Sequence, residues 1–167
     1  DSPNERLKEL IQLTEEQNIK VEKQNASFFD RNFEGINHQN VALRCNKRSE
    51  ETENYLELIL EKDEVKLLIL DGLTDPHNVG ACLRSAAAAM VDAVIVPKNR
   101  ACHLTPTVRK ISCGASELIP FIIVTNLVRT ITLIKEKGIL VYGSDLQATK
   151  FHDEVVYSKR NALIVGS

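Results

Sequence analysis

The sequence predicts an α/β fold built on a parallel sheet, preceded by a fragment of a smaller α/β domain. Two observations carry that expectation. From Lys66 onward, short apolar runs alternate with stretches of helical length, and strand–helix alternation with short links implies right-handed crossovers and a parallel sheet. The apolar runs are continuous: Lys66 to Leu70 (K-L-L-I-L), Ala93 to Val96 and Ala162 to Val165 have the pattern of strands buried on both faces.

Residues 1–48 read as the carboxyl-terminal part of the smaller domain. Asn4 to Gln17 carries Leu7, Leu10, Ile11 and Leu13 among charges, the spacing of an amphipathic helix. Ile19 to Glu22 and Val41 to Arg44 read as short strands around a polar loop with Gly35, Asn37 and His38. A piece of this size would struggle to bury a core by itself. Residues 49–65 hold Glu50, Glu51, Glu53, Glu57, Glu61, Asp63 and Glu64, and read as an acidic linker running into a solvated helix.

Residues 66–167 form the main domain. Gly72, Asp75 and Pro76 end the first strand, Asn78 is placed as the N-cap, and Val79 to Met90 forms an alanine-rich helix. Strand Ala93 to Val96 follows, then helix Thr107 to Cys113 with Thr105 and Pro106 as cap and first-turn residues. Strand Ile119 to Val124, helix Asn126 to Lys137 with Asn126 as cap and Gly138 just past its end, and strands Ile139 to Tyr142 and Ala162 to Val165 complete the pattern. Ser167 comes immediately after the last strand, where a loop and covering helix are expected, so the domain reads as incomplete there.

Composition narrows the function classes. A hydrophobic content of 43% is ample for a packed core. No run approaches the ~18 apolar residues of a membrane span, and the amino end lacks a signal-peptide profile, so a cytoplasmic protein is expected. Cys45, Cys82, Cys102 and Cys113 show neither C-x-x-C nor metal-ligand spacing, so no metal and no disulfide framework is expected. A formal net charge of −2 excludes a globally basic nucleic-acid binder but leaves local patches open. No G-x-G-x-x-G follows a strand and no P-loop motif occurs.

Three places are candidates for a site. The first is Leu70 to Arg84, at a strand's carboxyl end, where open parallel sheets bind ligands. Arg84 shares a helix face with Gly80, whose lack of a side chain leaves it a clear path as it leans toward the loop, and His77 lies within that loop. The alternative leaves Asn78 only a cap and Arg84 only a surface residue. The second is the loop after Val96, whose Lys98, Arg100, Arg109 and Lys110 suit several phosphates, or equally a solvated surface. The third is formed by Gly143, Ser144 and Gly166 after later strands, where glycine lets a ligand approach the backbone or simply makes a turn. His38, His103 and His152 have no sequence neighbour that suggests catalysis.

D-P-H-N-V-G-A-C-L-R-S-A resembles the first signature of the SpoU (TrmH-type) RNA ribose 2′-O-methyltransferases of the SPOUT superfamily, matching its N-x-G-x-x-x-R core at Asn78, Gly80 and Arg84. V-D-A-V-I-V-P-K-N-R, S-C-G-A-S-E and V-T-N-L-V-R-T fit as well, and N-H-Q-N-V-A resembles the end of the RNA-binding domain of the branch acting on guanosine in 23S ribosomal RNA. The usual His-Gln-Gly is His38-Gln39-Asn40 here. The resemblance implies S-adenosylmethionine as methyl donor, ribosomal RNA as substrate with a tRNA-modifying enzyme or a non-catalytic RNA-binding fragment as the alternatives, a homodimer, and a carboxyl-terminal knot largely outside this sequence. It further implies Arg84 and Asn78 as catalytic residues and Gly166 as the start of the second signature, with Gly143 and Ser144 on the cofactor side. His77, Lys98, Arg100, Arg109 and Lys110 are then RNA contacts.

Overall fold

The computed structural model describes residues 5–35, 38–44, 46 and 48–166 and divides into two units, Asp1–Asn46 and Lys47–Ser167. Asn4, Asn37, Cys45 and Ser167 lie outside the described residues. In the first unit the amphipathic stretch forms helix α1 (Glu5–Glu16). A second helix, α2 (Ala26–Asn32), occupies part of the expected polar loop. Asn25 caps it by accepting a hydrogen bond from the Phe28 N–H at 3.0 Å. The rings of Phe28, Phe29 and Phe33 pack together, and His38 stacks 5.0 Å from Phe29.

The expected strands Ile19 to Glu22 and Val41 to Arg44 do not form. Both segments lack a ladder partner among the described residues, and Ile19, Val21, Val41 and Leu43 are exposed. Alternation makes a strand only where another strand pairs with it and a core covers it. Gln39 and Asn40 both sit in the left-handed region, at φ 48° and 60°, and the Asn40 N–H donates to His38 Nδ1 at 3.0 Å. Asparagine tolerates that conformation better than most residues, so Asn40 fits the position where the resemblance leads one to expect glycine.

In the second unit the acidic linker reading is corrected. Glu51 pairs in parallel beside Ile122, donating to the Phe121 carbonyl at 2.8 Å and accepting from the Ile123 N–H at 2.9 Å. Helix α3 (Glu53–Leu60) buries Leu56, Ile59 and Leu60, while Glu57 and Glu61 face outward. The apolar positions at i, i+3 and i+4 make one buried stripe, so the charges decorate a core helix.

The remaining elements are β1 (Val65–Asp71), α4 (Pro76–Ala88), β2 (Ala93–Pro97), α5 (Pro106–Ile111), α6 (Ala115–Leu118), β3 (Phe121–Val124), α7 (Leu127–Glu136), β4 (Leu140–Gly143) and β5 (Arg160–Gly166). The five strands are all parallel in the order β3-β2-β1-β5-β4, so β5 enters between β1 and β4. Leu67, Ile69, Ile95 and Ile122 pack under Leu56, Leu60 and Ile134 on one face; Leu70, Val96 and Phe121 pack under Val79, Leu83 and Val108 on the other.

Local chemistry sets the boundaries. Asp75, rather than Asn78, caps α4 by accepting from the His77 N–H at 3.0 Å, and Pro76 sits in the first turn where its missing N–H costs nothing. Thr105 caps α5 and Asn126 caps α7 as expected, with Gly138 at φ 75° just beyond α7. Arg160 donates to the carbonyls of Leu60 (2.8 Å), Lys137 (3.1 Å) and Lys62, joining the carboxyl ends of α3 and α7 to the sheet. Truncating Leu56 to Ala is expected to cost about 2–5 kcal/mol in urea unfolding. The exposed Leu58→Ala stays within about 0.5 kcal/mol of wild type, and equal effects would return this segment to a linker.

Candidate RNA-binding and methyl-transfer site

Parallel strands send all their carboxyl ends to one edge, so Asp71, Pro97, Val124, Gly143 and Gly166 meet there. The loops along this edge are fastened to one another. The Cys102 N–H donates to the Leu73 carbonyl at 2.8 Å, and the Lys98 N–H to the Val124 carbonyl at 2.9 Å. Glu50 accepts from the Leu104 N–H at 2.8 Å and Glu53 from the Thr125 N–H at 2.7 Å. His103 bonds the Lys98 carbonyl through Nε2 at 3.1 Å, with Glu50 3.7 Å from its Nδ1. Two carboxylates of the supposed linker thus anchor the loops after β2 and β3.

Beside this edge, α4 and α5 frame a groove of about 590 Å³ lined by His77, Arg84, Pro106, Thr107, Lys110, Ile111 and Cys113. Its geometry follows from helix periodicity. Residues seven apart return to one face, whereas six apart differ by about 120°, so Arg84 shares the groove with His77 and not with Asn78. Between them lies Gly80. A Cβ there would meet Ile111 Cβ and Cγ2 at 2.7 Å and the Val108 carbonyl at 3.2 Å. The expectation that Gly80 clears a path for Arg84 is therefore corrected: it admits α5.

The other expected residues divide. Asn78 is exposed in the first turn of α4, with no hydrogen bond to Arg84. Among the described residues, the side chains of Arg84, Lys98, Arg100 and Lys110 are exposed and make no ion pair or hydrogen bond. Arg109 is withdrawn from the expected phosphate cluster. Its guanidinium pairs with Glu117 and donates to the Arg48 carbonyl at 2.7 Å. Burial works to raise the Glu117 carboxyl, but hydrogen bonds from Arg109 and the Arg48 N–H outweigh it and hold the pKa below the ordinary 4.5. Burial also pushes the Cys82 and Cys102 thiols up, away from the reactive thiolate.

The glycines at the edge also differ from each other. A Cβ on Gly143 would meet nothing within 4 Å, and Ser144 beside it is exposed, which fits close approach by a cofactor to the backbone. Gly166 is required by the protein itself: a Cβ there would lie 2.1 Å from the Asp71 carbonyl oxygen. No group of three or more His, Cys, Asp or Glu among the described residues could hold a metal ion.

A family model described as the SpoU rRNA Methylase family matches residues 66–167. The chain belongs to this family. A second model, described as RNA 2′-O ribose methyltransferase substrate binding, matches residues 1–51. The chain is 42% identical over 165 residues to "23S rRNA (guanosine-2'-O-)-methyltransferase RlmB" of Escherichia coli K12, covering 98% of this chain and 68% of that protein. The RlmB of Photobacterium profundum is 40% identical over 171 residues, covering 100% and 69%. Among solved structures, an AdoMet-bound rRNA methyltransferase from Sinorhizobium meliloti aligns with TM-score 0.64 at 19% identity, covering 95% of this chain and 59% of that one. The SpoU methyltransferase AviRb from Streptomyces viridochromogenes, in complex with AdoMet, aligns with TM-score 0.59 at 20% identity, covering 66% and 46%. These structures establish that the parallel α/β unit has the fold of SpoU methyltransferases. No described helix is long and apolar enough to cross a membrane.

In this SpoU unit, Gly80→Ala is expected to push α5 from α4 and to destabilise by about 1–3 kcal/mol, read by urea unfolding; no change would show that Ile111 yields freely. A carboxylate with a depressed folded pKa stabilises above its unfolded value and loses that contribution as pH falls through the folded one. The stability gap between wild type and Glu117→Gln should therefore shrink as the pH falls below the ordinary 4.5 and through the lowered folded value, and a constant gap would remove the ion pair from the account.

Proposed function

We propose that this chain is an RNA ribose 2′-O-methyltransferase that uses S-adenosylmethionine to methylate a guanosine ribose in 23S ribosomal RNA. The observation that carries the reading is the 42% identity, across 98% of the chain, to an enzyme named for that reaction. Arg84 and Lys110, unpaired among the described residues beside the sheet's carboxyl edge, support it.

A ribose 2′-hydroxyl is a poor nucleophile at neutral pH, so the site must align it and stabilise the charge that develops as its proton leaves. Arg84 suits the second task. Its guanidinium is not deprotonated in proteins, so it acts as a cation rather than a base, gripping an RNA phosphate and stabilising the incipient alkoxide. Asn78, exposed in the first turn of α4, offers its amide to the acceptor ribose. Lys98 and Arg100 hold neighbouring phosphates, and Gly143, Ser144 and the backbone at Gly166 would hold the cofactor. When bound, S-adenosylmethionine supplies a methyl group on a sulfonium that departs as a neutral thioether. A cytoplasmic homodimer belongs to the same reading; the exposed Leu140 and Leu163 on the sheet face over β4 and β5 support the dimer.

The test is transfer of a labelled methyl group to 23S ribosomal RNA and to tRNA, followed by nuclease digestion. Label in 2′-O-methylguanosine from ribosomal RNA is expected; label only in tRNA, on a base, or nowhere overturns the proposal. Arg84→Ala is expected to lower single-turnover methylation about 10²–10³-fold, the scale of losing one charge-stabilising donor. Arg84→Lys falls between, because it keeps the charge and loses the planar fork. Near-wild-type rates in both variants would take Arg84 out of the chemistry.

A further inference from the structure

The proposed chemistry uses one side of the α4–α5 groove and leaves the other unexplained. His77, Arg84 and Lys110 line it with no carboxylate, and Pro106, Thr107 and Ile111 provide a largely apolar floor. Lys62 pairs with Asp92, Lys137 with Glu61 and Lys159 with Glu64, whereas Lys110, like Lys98, meets no acid among the described residues, and it shares its groove with a second unpaired cation, Arg84. Adjacent positions on α5 part company in the same way, since Arg109 turns inward to Glu117 while Lys110 stays exposed and unpaired among the described residues. A volume of about 590 Å³ lies within the ~300–1,000 Å³ typical of sites that enclose a small molecule.

From this we propose that the groove is a subsite for one nucleotide of the RNA strand, flanking the nucleotide that is methylated. Its phosphate lies between Arg84 and Lys110, and its sugar and base rest on Pro106 and Ile111. The proposal rests on the reading of the chain as an RNA methyltransferase. An unpaired strand is the fitting form, because only splayed bases offer an apolar face to such a floor. Thr107 supplies the floor's one side-chain hydroxyl, so the subsite reads the presence of a nucleotide more than its identity.

The test is a salt series of binding to a single-stranded uridine oligonucleotide and to a duplex of equal length, using wild type, Lys110→Gln, and Lys135→Gln as a control on the exposed face of α7. Wild-type affinity for the single strand should fall with salt. Lys110→Gln should flatten the slope of log K against log salt by roughly 0.7, the loss of one single-strand phosphate contact, while Lys135→Gln leaves it unchanged. Thermal melting of Lys110→Gln should match wild type, since the side chain is exposed. A wild-type slope in Lys110→Gln overturns the subsite and leaves the proposed function standing. Absence of salt-sensitive RNA binding in wild type overturns both. Tighter binding to the duplex, or a change of oligomeric mass in Lys110→Gln without a change of slope, assigns the groove to another occupant and also overturns it.

Discussion

Helices α4 and α5 meet where α4 has no side chain, and the surface at which RNA is proposed to bind follows from that contact. Ile111 fills the space above Gly80, which brings α5 close enough for Val108 and Val79 to share one core and for Lys110 to stand in the groove with Arg84. Helix α5 has only 6 residues and gains little from its own hydrogen bonds. It is held by the Thr105 cap, by the pairing of Arg109 with Glu117, and by the seat at Gly80. Polar and apolar contacts therefore specify one arrangement together.

A second close approach does comparable work in the sheet. Gly166 lies so near the Asp71 carbonyl that any side chain would collide, and this sets the end of β5 against the end of β1. Because every strand is parallel, the loops after β1, β2, β3, β4 and β5 all face one edge. The proposed acceptor side, at α4 and the Lys98 loop, and the proposed donor side, at Gly143 and Ser144, belong to the same rim. Glu50 and Glu53 brace that rim from a segment whose charge alone suggested only solvation.

What was legible in the sequence was local. The K-L-L-I-L run marks β1, Thr105 and Pro106 mark the start of α5, and Asn126 and Gly138 bracket α7, because each signal depends on neighbours within a turn. Asp75 and Asn78 are both competent caps, and Pro76 is the signal that separates them, since proline belongs in the turn that follows a cap. The spacing of Leu56, Ile59 and Leu60 marks a buried stripe that the surrounding glutamates obscured. Other features have no local trace. The partners of Glu50 and Glu53 lie far along the chain, nothing next to Arg109 says that it turns toward Glu117 while Lys110 does not, and Val41 to Arg44 has the residues of a strand but no neighbour to pair with. For the site, the resemblance marked Arg84, and only the fold shows that His77 and Lys110, rather than Asn78, share its groove.

The central claim is that RNA lies on the α4–α5 surface. Amide hydrogen exchange with and without a single-stranded fragment of 23S ribosomal RNA tests it most directly. Slowed exchange across residues 76–84 and 106–113 is the expected result; protection confined to residues 5–46, with those helices unchanged, would contradict it.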